Sequence, residues 1–163
     1  YPAAKLLFER ALAISEKAEG PEHPSTGISL NNLAAHLRAM GDYPAAKLLF
    51  ERALAISEKV QGPEHPSTGI RLNNLAGLLQ AMGDYPTAKL LFERALAISE
   101  KVQGLEHTST GARLNNLADL LRAMGDYHAA KPFYERALAI TEKALGPEHP
   151  STKMVRGNLE SLP

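Results

Sequence analysis

The strongest constraint on this chain is a phrase that returns every 42 residues. Tyr1, Tyr43, Tyr85 and Tyr127 open it, and Gly41-Asp42, Gly83-Asp84 and Gly125-Asp126 precede the last three. Residues 1–42 and 43–84 differ at only six positions, as do residues 43–84 and 85–126. Self-similarity at a fixed step of this size marks a solenoid, in which each copy buries its apolar face against the next. A chain of 163 residues would otherwise suggest one globular domain. The period points instead to a single elongated domain, 1–163, with units 1–42, 43–84, 85–126 and 127–163.

Composition then narrows function. Lys plus Arg and Asp plus Glu both number 18, so no basic excess recommends nucleic acid as a partner. There is no cysteine, hence no disulfide framework or thiolate zinc site, and a reducing, cytoplasmic setting is the default. No apolar run approaches the roughly 18 residues of a membrane span, and the N-terminus lacks the basic-then-apolar pattern of a secretory signal.

Each copy accommodates two helices. Tyr43 to Lys59 places Tyr43, Ala46, Leu49, Phe50, Ala53, Leu54 and Ser57 on one face at three-and-four spacing, with Lys47, Glu51 and Glu58 off it. This amphipathic helix B starts at Asp42 and Pro44 and stops at Gly62-Pro63. Helix A is expected from about Pro66 to Met82, with His65 or a neighbour as its cap. Leu72, Leu75, Ala76 and Leu79 form its core side, Leu78 lies on a flank, and Asn73, Gly77 and Gln80 face away. A Gly83-Asp84 turn makes consecutive helices antiparallel neighbours.

The spacing Leu75-Ala76, Leu79, Gly83, Tyr85, Ala88, Phe92, Ala95 resembles the tetratricopeptide repeat. The 42-residue step, the phrase GPEHPST at Gly20 to Thr26 and Gly62 to Thr68, LNNLA in helix A and RALAI in helix B resemble the kinesin-light-chain type of that repeat. The resemblance covers the whole chain. It implies an all-α, right-handed superhelical solenoid of antiparallel helix pairs, acting as a noncatalytic protein or peptide interaction module. The alternative is a structural spacer or self-assembling module with no ligand in its groove.

The asparagine pairs are the strongest candidate site. Asparagine is a mediocre helix former, so Asn31-Asn32, Asn73-Asn74 and Asn115-Asn116 in mid-helix need a reason. Their amides can serve the backbone of an extended peptide on the concave face, a role that the resemblance implies for Asn32, Asn74 and Asn116. They can equally bond adjacent helices and hold the repeats in register. The positions that vary between copies share this face: Ala35, Gly77 and Asp119, then Arg38, Gln80 and Arg122, with Ser29, Arg71 and Arg113 at its edge. Mixing Arg71, Arg113 and Arg122 with Asp119 makes a preference for acidic peptides only modest.

His23, His65, His107 and His149 recur once per copy, about 10 Å apart if helices pack at the usual spacing. That is too far for a shared metal ion, so they are read as loop and helix-start residues. No phosphate loop, dinucleotide fingerprint or metalloprotease motif is present, and no cofactor, metal or catalysis is expected.

The ends differ from the interior. In a last helix A, about Pro150 to Leu162, Arg156 and Glu160 replace core leucine and alanine, which reads as a solvent-facing cap. The first helix B keeps Leu6, Leu7, Phe8, Leu12 and Ile14, which predicts an apolar patch and a homodimer through the N-terminal helix.

Overall fold

The computed structural model describes residues 2–163, so Tyr1, the first residue of the expected opening helix B, lies outside the described residues. Among the described residues there are eight helices and no strand: α1 (Pro2–Glu19), α2 (Pro24–Ala39), α3 (Tyr43–Val60), α4 (Pro66–Ala81), α5 (Tyr85–Val102), α6 (Thr108–Ala123), α7 (Tyr127–Leu145) and α8 (Pro150–Glu160). Odd-numbered helices are B and even-numbered are A. The chain forms two compact units, 1–83 and 84–163.

The recurring polar phrases set the helix ends. Asp42, Asp84 and Asp126 each accept from the amide three residues on, at Ala45, Thr87 and Ala129, which satisfies a donor that the helix itself cannot. The histidine of GPEHPST does the same for helix A: Nδ1 of His65, His107 and His149 each accepts from a serine amide at 3.1 Å. Helix A ends where Gly41 adopts φ +82°, so that the amides of Gly41 and Asp42 reach back to the carbonyls of Arg38 and Leu37 at 3.0 Å.

In the first unit, α2 packs on α1, α3 and α4, and α3 packs on α4. Leu30, Ala53 and Ile56 form a buried cluster with Leu12 and Leu49 against it. Ala46, Phe50, Ala53 and Ser57 are buried as the helical face predicts, whereas Tyr43, Leu49 and Leu54 are half-buried. Ile56 extends the buried row, since it lies three residues beyond Ala53. Thr68 closes the joint between helices, donating to the Gly62 carbonyl at 2.7 Å and sharing a buried 2.9 Å hydrogen bond with Ser57.

Two expectations are corrected here. Leu78 is fully buried rather than flanking, like Leu120. α4 packs on α2 as well as on α3, and α6 on both α5 and α7, so each buries a wider arc than the four residues assigned to the core side. Leu6 is 65% exposed, but its counterparts Leu48 and Leu90 are equally so at 68% and 66%, so it marks no special patch at α1. Distinctive there are Leu7, 68% exposed where Leu49 and Leu91 are half-buried, and Ile14, 59% exposed where Ile56, Ile98 and Ile140 are 5%, 5% and 6%. Phe8 is half-buried, its ring centroid 5.3 Å from that of His36.

In the second unit, α6 packs on α5 and α7, and α7 on α8. Thr110 repeats the joint with Gly104 and Ser99. In α7 the equivalent Thr141 turns its hydroxyl back to the Ala137 carbonyl at 3.1 Å, and the Thr152 hydroxyl is left buried without a partner. Pro132 sits inside α7, at the exposed position where Leu48 and Leu90 stand in the other copies. At the charged end, Arg156 is half-buried and pairs with Glu142 at 2.8 Å, and Glu160 is exposed.

Ion pairs one repeat apart recur within each unit, Arg52–Glu16 and Lys59–Glu22 in the first, Arg136–Glu100 and Lys143–Glu106 in the second. Exposed pairs contribute only about 0–1 kcal/mol each, so burial carries the stability.

Candidate functional site

The asparagines stand in mid-helix on α2, α4 and α6, with Asn158 on α8. Asn31 and Asn115 are buried, Asn73, Asn74 and Asn116 are half-buried, and Asn32 is exposed. Asn74 Nδ2 donates to Asn31 Oδ1 at 2.9 Å, and Asn158 Nδ2 to Asn115 Oδ1 at 3.1 Å. Within each unit, therefore, the second asparagine of one helix A bonds the first asparagine of the preceding helix A. The bond ties the two helices in register. It uses one of the two donors on Asn74 and leaves the carbonyl oxygen to other partners.

The variable positions also meet across consecutive helices A. Arg38 Nη1 lies 3.1 Å from where a Cβ at Gly77 would stand, so the small residue makes room for the guanidinium. Arg122 Nη1 reaches Ser161 Oγ at 3.2 Å, and Ser161 occupies the position of Gly77 one period after Asp119. Gln80 is half-buried on α4.

Asp119 is the hub of a polar cluster. It accepts from Tyr134 Oη at 2.5 Å, from Arg122 Nη2 at 3.2 Å and from Asn115 Nδ2 at 3.1 Å. Tyr134 is fully buried where Phe50 and Phe92 stand in the other copies. Burial, and then the Asp119 carboxylate, push its hydroxyl well above the ordinary tyrosine range. The sequence reading singled out Asp119 but not Tyr134. The available signal was that Ala or Gly becomes Asp and Phe becomes Tyr in adjoining helices, each for the first time.

Arg71 and Arg113 were expected at the edge of the face. Arg113 is half-buried, but Arg71 is only 7% exposed and belongs to the interior. Burial pulls both guanidinium groups below their ordinary value. Val155, one period after Arg113, lines a cavity of about 170 Å³ with Ala112, Asn115, Asn116 and Met154.

Among the described residues, no group of three or more His, Cys, Asp or Glu could hold a metal ion, and no helix is long and apolar enough to cross a membrane.

Residues 1–59 and 30–101 match a family model described as tetratricopeptide repeat, and residues 110–151 match a second model of that description. No curated protein matches the chain. Among solved structures, the kinesin light chain nearly identical TPR-like repeats of Podosopora anserina are 35% identical over 97% of this chain and 75% of that one, with a TM-score of 0.80. A variant of the same protein is 34% identical over 97% and 74%, with a TM-score of 0.81. BtubC (BKLC) from P. vanneervenii is 26% identical over 90% of this chain and 58% of its own, with a TM-score of 0.78.

Proposed function

Because the chain belongs to the tetratricopeptide repeat family and is kinesin-light-chain-like within it, we propose that its protein-interaction role is exercised by the helix A face, which takes an extended peptide. The observation that carries this reading is the asparagine series. Asn32 is exposed and Asn74 half-buried, and a carboxamide offers two donors and an acceptor to a peptide backbone. Arg38, Gln80, Asp119 and Arg122, which differ between copies, then supply selectivity beside a common backbone grip. The amide bonds between helices A also favour a second reading, in which the asparagines serve register alone and the array is a spacer.

Peptides selected from a displayed random library on the parent protein separate the two. The triple variant Asn32→Ala, Asn74→Ala, Asn116→Ala is expected to lose most of their affinity while keeping its helical circular dichroism. Undiminished binding by a folded triple variant rejects the groove and leaves the spacer.

Self-association belongs to the same proposal. Ile14, with Leu7 beside it on α1, offers the exposed apolar surface for a two-fold contact between α1 helices.

A further inference from the structure

The repeats are near copies of one another, so a place where their departures gather stands out. In the second unit such departures surround one cavity of about 170 Å³ between α6, α7 and α8. Thr108 stands where the other copies have Pro24, Pro66 and Pro150, Ala112 where the first two have Ile28 and Ile70, and Thr141 where the others have Ser57 and Ser99. Leu145 replaces Gln61 and Gln103, and Val155 replaces Arg71 and Arg113. The changes run one way. Shortening isoleucine to alanine and arginine to valine opens space, and losing glutamine and arginine strips amide and charge from the wall. The apolar part of that wall is Ala112, Leu145, Met154 and Val155, and its polar residues are threonine, serine and asparagine, none of them charged.

The joint beside the cavity is left unsatisfied. Thr68 and Thr110 each share a 2.9 Å hydrogen bond with the serine eleven residues before. Thr141, in that serine's place, turns its hydroxyl to the carbonyls of Ala137 and Leu138, both at 3.1 Å. The fully buried hydroxyl of Thr152, next to Ser151 of the wall, then has no partner. A buried hydroxyl without a partner carries a cost that a bound hydrogen-bonding group can offset.

We propose that this cavity is a binding site for a small neutral ligand, an apolar body of about six to eight non-hydrogen atoms that carries one hydroxyl. Its volume suits such a guest, since a cavity of roughly 150 Å³ between apolar side chains takes benzene. Its uncharged wall rejects an ionised ligand, whose lost hydration nothing there would offset. The hydroxyls around it favour a ligand that donates and accepts a hydrogen bond of its own. The site stands without the peptide reading, although Asn115 and Asn116 border both.

The test titrates p-cresol into the whole chain labelled at its methionine methyl groups, with toluene as the hydroxyl-free counterpart and p-hydroxybenzoate as the charged one. Met154 lines the cavity, whereas Met40, Met82 and Met124 end α2, α4 and α6 and serve as controls. p-Cresol should shift the Met154 methyl alone and saturably, with a Kd of about 1 mM or tighter. Toluene should bind about fivefold more weakly and p-hydroxybenzoate not at all. Ala112→Ile and Val155→Arg restore the residues of Ile70 and Arg113 and refill the space, so each should weaken p-cresol about tenfold or more. Unmoved Met40, Met82 and Met124 resonances report that a variant is folded, and if one variant does not fold, the other decides.

No saturable shift at Met154 up to about 10 mM p-cresol overturns the site. Shifts spread over all the methionines, or undiminished binding by the folded, refilled variants, do the same. Equal affinity for p-cresol and toluene overturns the hydroxyl requirement. A library peptide that shifts Met154 where p-cresol does not gives the cavity to a peptide side chain and overturns the small ligand.

Discussion

Tyr134 and Asp119 should behave as a coupled pair that only makes sense together. Tyr134→Phe restores the residue of Phe50 and Phe92, but it removes a 2.5 Å hydrogen bond to a carboxylate. Hydrogen bonds to charged groups contribute about 1.5–3 kcal/mol, and Asp119 keeps Arg122 and Asn115 as partners, so a loss of about 1.5–2 kcal/mol is expected. Asp119→Ala restores the residue of Ala35, but it leaves a fully buried phenol unpaired and frees Asn115, at about 2–3 kcal/mol. The double variant recreates the combination of Ala35 with Phe50 and should lie within about 1 kcal/mol of the parent, a coupling of about 2 kcal/mol or more. Urea unfolding of all four proteins gives the cycle. The pair also has a pH signature. Because burial and Asp119 raise the Tyr134 pKa above its unfolded value, the folded chain keeps a proton that the unfolded chain loses above about pH 10. Stability contributed by this group is therefore intact below that pH and falls as pH rises beyond it, and Tyr134→Phe should flatten that fall. Additive single effects, or an unchanged alkaline limb, would show that the contact carries no coupling.

Other expectations follow from single contacts. Phe50→Ala, at a residue with 1% exposure between helices, should cost about 3–5 kcal/mol in chemical unfolding. Pro132→Leu supplies the missing amide inside α7 with the residue found at Leu48 and Leu90, and should raise stability by about 1–3 kcal/mol. Asn74→Ala should weaken a bound peptide by about 0.5–1.5 kcal/mol in titration calorimetry, and should also lower the melting temperature slightly because Asn31 loses its donor. Light scattering at high micromolar concentration should detect a dimer that Ile14→Glu abolishes, and a monomeric mass at every concentration would remove α1 as an interface.

The helices were legible in the sequence because their signals are local. Periodicity of 3.6, Asp42 and His65 before prolines, and Gly41 and Gly62 after the last turn each act within a few residues, so one repeat suffices to place them. Repetition then assigned the neighbours, and with them the buried Phe50, Leu72 and Ala76. What only the tertiary structure decided is how side chains meet across helices that the chain separates by tens of residues. Asn74 finds Asn31 43 residues away, Arg38 lies over Gly77, and Tyr134 reaches back to Asp119. Leu78 and Arg71 were misplaced for the same reason. A helical wheel gives direction about one axis, but burial depends on how many neighbours cover that direction and on how far a flexible side chain such as arginine can fold back, and both are properties of the packed structure.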